Sequence, residues 1–97
     1  MKKIDEIKHI LKSHKEIMAE KYHVKEISVF GSYVRGDQVS GSDIDILVEF
    51  SKPVGLIKFI ELEEYLSELL KTKVDLVPKS GIKIALKDSI LSEAVSV

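Results

Sequence analysis

The chain has 97 residues, 44% hydrophobic and 32% charged, with a formal net charge of −1, a balance that suits one modest soluble domain and excludes a large positive field for holding nucleic acid. Cysteine is absent, which excludes disulfides and thiolate metal sites, and with no tryptophan and few aromatics a stacking platform for single-stranded nucleic acid is not expected. No apolar run has membrane-spanning length, and Asp5, Glu6 and Lys8 interrupt what would have to be the apolar stretch of a signal peptide, so a cytoplasmic protein with no membrane association is expected.

Ile4, Ile7, Leu11, His14 and Met18 recur at three- and four-residue steps, with Ile10 and Ile17 beside them, and this period predicts one amphipathic helix over about 2–22. Residues 26–30 alternate and stop at Gly31, the pattern of a strand. A short helix over 32–38 follows, broken by Gly41 and Ser42. The β-rich run 43–50 is a second strand. Pro53 and Gly55 precede a helix over about 56–71, with Ile57, Ile60, Leu66, Leu69 and Leu70 as candidates for its inner side. Residues 73–77, stopped by Pro78, make a third strand. Ile82, Leu86 and Ile90 form a stripe on a last helix, and 94–97 reads as a short edge strand or a frayed tail. The order αβαβαβα defines an α/β fold with a mixed sheet of three strands, or four if the tail pairs, flanked by helices, in a single domain over 1–97.

Asp43 and Asp45 are two apart on a strand, so their side chains share one face while Ile44 and Ile46 take the other. Two aligned carboxylates repel unless a cation lies between them, and oxygen ligands suit Mg²⁺, which binds through one or two carboxylates plus substrate phosphates. Taken alone, the pair fits a solvated strand end, with Asp43 capping a turn, better than a metal site. Asp75 interrupts the apolar run Val74-Asp75-Leu76-Val77. A carboxylate is rarely buried without a partner, so it lies either on the solvent face of an edge strand or with the first two aspartates around metal. Gly31-Ser32 leads from a strand into a helix start, where unbonded N–H groups and the helix dipole bind phosphate, and glycine leaves room for close approach; a plain turn capped by Ser32 is the alternative. For these groups to converge, the first two strands must be antiparallel. The crossover through helix 56–71 must then lay the third strand parallel to the second, with Asp75 beside the pair.

Gly31-Ser32, then ten residues, then Asp43-Ile44-Asp45, resembles the signature of the polymerase-β-type nucleotidyltransferase superfamily. The fuller runs Phe30-Gly-Ser-Tyr-Val-Arg-Gly36 and Ser42-Asp-Ile-Asp-Ile-Leu-Val48, with Val74-Asp-Leu-Val77 as the third-carboxylate strand, resemble its minimal (MNT) branch over nearly the whole chain. Val34, where that branch commonly has alanine, is a departure that leaves the chemistry intact. The resemblance implies ATP as substrate with one or two Mg²⁺ ions. Asp43 and Asp45 would hold the nucleotide-associated metal, and Asp43, Asp45 and Asp75 would share a second. Gly31 and Ser32 would grip the phosphates, and attack would fall on the α-phosphorus with loss of pyrophosphate. It also implies an antitoxin that transfers AMP to tyrosine hydroxyls of a partner HEPN-domain RNase toxin. A chain this short is expected to leave the acceptor cleft for a partner to complete. A non-catalytic nucleotide-binding antitoxin acting by contact, or transfer to a small-molecule acceptor, are the alternatives.

Arg35, three residues after Ser32, either touches the triphosphate as a nucleotide-binding residue or pairs with Asp37 or the aspartates. His9, His14 and His23 lack metal-ligand spacing, and His14 reads as a packed core residue. Lys79, Lys83 and Lys87 read as a solvated helix face.

Overall fold

The computed structural model describes residues 3–36, 43–81 and 90–97. The sequence expectations for Asp37, Gly41, Ser42, Lys83, Lys87 and most of the stripe on the last helix fall outside these residues, whereas the helix predicted over 32–38 ends at Arg35, where Gly36 turns left-handed with φ 78°.

The predicted first helix is two helices, α1 (Ile4–Ser13) and α2 (Lys15–Tyr22). The break at His14, with φ −112° and ψ 8°, has a local cause. Ser13 Oγ donates to the carbonyls of His9 (2.8 Å) and Ile10 (3.1 Å), and His14 Nδ1 donates to Ile10 O (2.9 Å). Side-chain donors returning to the preceding turn compete with the helical ladder and bend it. His14 is therefore half-buried at a corner, its ring edge-on to Tyr65, with 6.4 Å between centroids.

Strand β1 (Val24–Phe30) leads through Gly31 into the one-turn helix α3 (Ser32–Arg35). Then follow β2 (Ile44–Phe50), α4 (Leu56–Leu70), β3 (Val74–Pro78), a 3₁₀ turn over Lys79–Gly81, a helical stretch over 90–93, and β4 (Val95–Ser96). The four strands form one mixed sheet in the order β3-β2-β1-β4. β1 pairs antiparallel with both β2 and β4, and β3 runs parallel to β2 after the α4 crossover. The tail is thus an edge strand.

Strand alternation sorts the side chains. Ile27, Val29, Ile44, Ile46, Val48, Val74 and Leu76 face the helices and meet Ile7, Leu11, Met18, Leu62, Leu66 and Leu70 in one buried core. On α4 the inner stripe runs through Leu62, Leu66 and Leu70, so the expected inner positions Ile57 and Ile60 are exposed, at 75% and 43%. The helix carries two apolar stripes, and only the one above the sheet is covered.

α4 also holds the outer side of β3. Ser67 Oγ accepts from Val74 N–H (3.0 Å), and Glu63 Oε2 accepts from Leu76 N–H (3.0 Å). Edge amides with no strand beside them are satisfied by helix side chains.

Candidate active site

The face of the sheet turned away from α1, α2 and α4 carries the odd-numbered residues of β2 and β3. Asp45 is the Cα partner of Phe30 on β1 and of Asp75 on β3, so it occupies the middle of a row running across three strands. Asp43 precedes β2 on the same side of the alternation, is half-exposed, and stands 4.0 Å from Lys73 Nζ. Asp75 is exposed, yet directly beside Asp45. Of its two sequence-based readings, the solvent face of an edge strand is where it lies, and its backbone neighbour across the ladder is Asp45.

Gly31 completes the row. Its φ of 83° and ψ of −153° lie in a region essentially reserved for glycine. A Cβ built there would fall on Asp45 Oδ2 and come within 3.0 Å of Asp45 Cγ. The backbone therefore approaches the carboxylate as closely as a chain can. Gly31 O accepts from Val34 N–H (3.0 Å) and Arg35 N–H (3.1 Å). Gly31, not Ser32, is the N-cap residue, and Ser32 opens the helix. Ser32 and Tyr33 contribute the first N–H groups of the turn, which have no acceptor within it. Tyr33, unassigned from sequence, is 4% exposed and packs into the core, anchoring α3.

Burial pushes the Asp45 carboxyl above the ordinary carboxylate range, and the negative charges of Asp75 and Asp43 push it further. Arg35 opposes this and Glu93 adds to it. Arg35 Nη1 donates to Glu93 Oε1 at 2.6 Å. Glu93 is the residue that sequence reasoning missed: its partner is 58 positions away, and nothing local marks it.

The donor set is all oxygen, and its members raise one another's affinity for positive charge. Among the described residues no three acidic or histidine side chains already stand as a ready-made metal cage. Such a set suits a hard cation that takes one or two carboxylates and completes its shell with substrate phosphate, as Mg²⁺ does. Among the described residues, a cavity of about 160 Å³ is lined by Ser28, Leu47, Glu49 and Ser96, and a groove of about 900 Å³ lies between Phe50, Phe59 and Pro78. Among the described residues no helix is long and apolar enough to cross a membrane.

A sheet of this topology, with a glycine turn against paired aspartates, is a nucleotidyltransferase arrangement, and the family model for the nucleotidyltransferase domain matches residues 11–97. The chain belongs to that family and is an enzyme of the nucleotidyltransferase class. Within the family it is similar to the protein adenylyltransferase MntA of Thermococcus cleftensis, 51% identical over 94 residues that cover 97% of this chain and 95% of that one. Among solved structures it is similar to one assigned as a minimal nucleotidyltransferase, with TM-score 0.84, 27% identity and 99% and 97% of the two chains covered. It is also similar to a toxin–antitoxin structure with AMP-PNP, with TM-score 0.73, 27% identity and 88% and 69% covered.

Proposed function

We propose that this chain is an Mg²⁺-dependent adenylyltransferase that moves AMP from ATP to a tyrosine hydroxyl of a partner HEPN-type toxin, and so acts as its antitoxin. The observation that carries the reading is the lateral pairing of Asp45 with Asp75 while Gly31 lies against Asp45. That arrangement supports a reading in which Gly31 and Ser32 cradle a triphosphate and the neighbouring carboxylates hold its counter-ion. The 51% identical relative is named a protein adenylyltransferase, and the AMP-PNP structure is of a toxin–antitoxin; both support this acceptor class.

The amides that open α3 and the Ser32 hydroxyl bind the triphosphate, and Gly31 lets it approach the backbone. Asp45 on β2 and Asp43 just before it face the triphosphate. Mg²⁺ bound there would neutralise charge on the attacking and leaving oxygens. The tyrosine oxygen attacks the α-phosphorus, the bond to the bridging oxygen breaks, and pyrophosphate leaves. A tyrosine hydroxyl has a reference pKa of about 10, so it must shed its proton as the bond forms, and the exposed carboxylate of Asp75 would receive it. The protein otherwise works by positioning. No nucleic acid is required.

The test is co-expression with a HEPN-domain protein of the same genome, followed by intact mass measurement of that partner. AMP increments on tyrosine, lost with Asp45→Asn, support the reading. Tight binding with no mass change under MgATP replaces it with inhibition by contact. Independently, millimolar MgATP should raise the melting temperature. Stabilisation is about 2.7 kcal/mol at a hundredfold excess over Kd.

A further inference from the structure

The Arg35–Glu93 pair stands outside the aspartate row. Arg35 ends α3, three residues after Ser32. Glu93 lies two residues before Val95, which pairs with Val29, the neighbour of Phe30. The pair therefore lies on the β4 side of Asp45, whereas Asp75 lies on its β3 side. Glu93 is the more buried partner, its side chain 22% exposed against 54% for Arg35. β4, hydrogen-bonded to β1, fixes where that carboxylate stands.

An ion pair open to solvent on one side adds little to stability, so the 2.6 Å contact is poorly explained as a fold-holding device. Its clearer effect is on Arg35, a long side chain with much rotamer freedom, which the contact holds in one place. We propose that Glu93 is a positioning residue: its carboxylate fixes the Arg35 guanidinium on the β4 side of the Gly31–Ser32 cradle, so that a nucleoside triphosphate bound there meets a set positive charge across from the aspartates. This rests on the reading of Gly31–Ser32 as the phosphate site. A guanidinium carries five N–H donors, so engagement of Nη1 by Glu93 is compatible with phosphate as a further acceptor. The segment 90–97 thereby becomes part of the nucleotide site without touching the nucleotide.

The experiment is calorimetric titration of the full chain with Mg²⁺ and AMP-PNP, which needs no acceptor. Wild type, Glu93→Ala, Glu93→Gln, Arg35→Ala and the Glu93→Ala/Arg35→Ala double variant are compared. Glu93→Ala and Arg35→Ala are each expected to weaken binding about tenfold, the scale of one charge-assisted contact. The double variant should bind no worse than Arg35→Ala alone, because Glu93 acts only through the arginine. In transfer assays KM for ATP should rise more than kcat falls. Glu93→Gln keeps size and an acceptor oxygen while losing charge. It should bind several-fold more weakly than wild type, and it carries the test if the alanine variant is unstable. Unchanged or tighter binding in the Glu93 variants overturns the inference, as does an additive loss in the double variant. Failure of the wild type to bind overturns the proposed function as well; binding by wild type with no Glu93 effect overturns this inference alone.

Discussion

Gly31 and Asp45 are packed so closely that the space a Cβ would take at position 31 is already filled by the Asp45 carboxylate. Two features that look independent in the sequence, a glycine turn and an aspartate fourteen residues later, are therefore one steric unit. Gly31→Ala should displace Asp45 and strain the turn together. Backbone strain of this kind costs roughly 1–3 kcal/mol. The expected result is a folded but less stable protein with transfer near background, read by denaturant unfolding alongside an adenylylation assay. Transfer near the wild-type rate would show that the close approach is not used.

Asp45 has a pH signature. Its carboxyl is raised above the ordinary range in the folded state, by burial first and by Asp75 and Asp43 next. A raised carboxyl favours the fold while protonated, and that contribution is lost as pH climbs through its folded value. In chelator, Asp45→Asn should melt higher than wild type at neutral pH. The gap should close as pH falls below the unfolded value near 4. The same variant should have no transfer activity. A melting difference that does not vary with pH would remove the electrostatic account.

Asp75→Asn should separate binding from chemistry. Asp75 is exposed and faces the acceptor side in the proposed reaction, whereas Asp43 and Asp45 face the nucleotide. MgATP affinity is expected to stay within a few-fold of wild type, while kcat falls about a hundredfold or more, the range for a lost proton acceptor. Parallel loss of both would place Asp75 with the nucleotide metal instead.

Glu63→Ala leaves the Leu76 N–H without its acceptor at 3.0 Å. A partly buried donor stranded in this way costs about 1–3 kcal/mol. Unfolding free energy should drop by that order, with faster amide exchange at Leu76 than at Ile46. Unchanged exchange at Leu76 would mean that water replaces the carboxylate at no cost.

The first three strands were readable from local period, while their directions and the meeting of Gly31, Asp45 and Asp75 followed only from the condition that these groups share one site, and the tail stood open between an edge strand and a frayed end. The break at His14 was not, since apolar spacing continues through it while Ser13 and His14 turn their donors back on the preceding carbonyls. Ile57 and Ile60 were placed inward because they are apolar, but which stripe of α4 meets the sheet depends on how the crossover seats the helix. Val24 joins β1 across an irregularity between Val24 and Glu26, which defeats simple alternation. Glu93 had no signal at all, because its role depends on a partner brought near by β4.

The outer margin of β3 has a consequence for self-association. In a parallel strand every second amide points outward, and on β3 these belong to Val74, Leu76 and Pro78. The first two are engaged by Ser67 and Glu63, and the third has no N–H to give. Among the described residues, a foreign strand arriving on that side finds no donor on β3 to zip onto. Runaway stacking, strand exchange between copies and capture of an extended peptide are all disfavoured there.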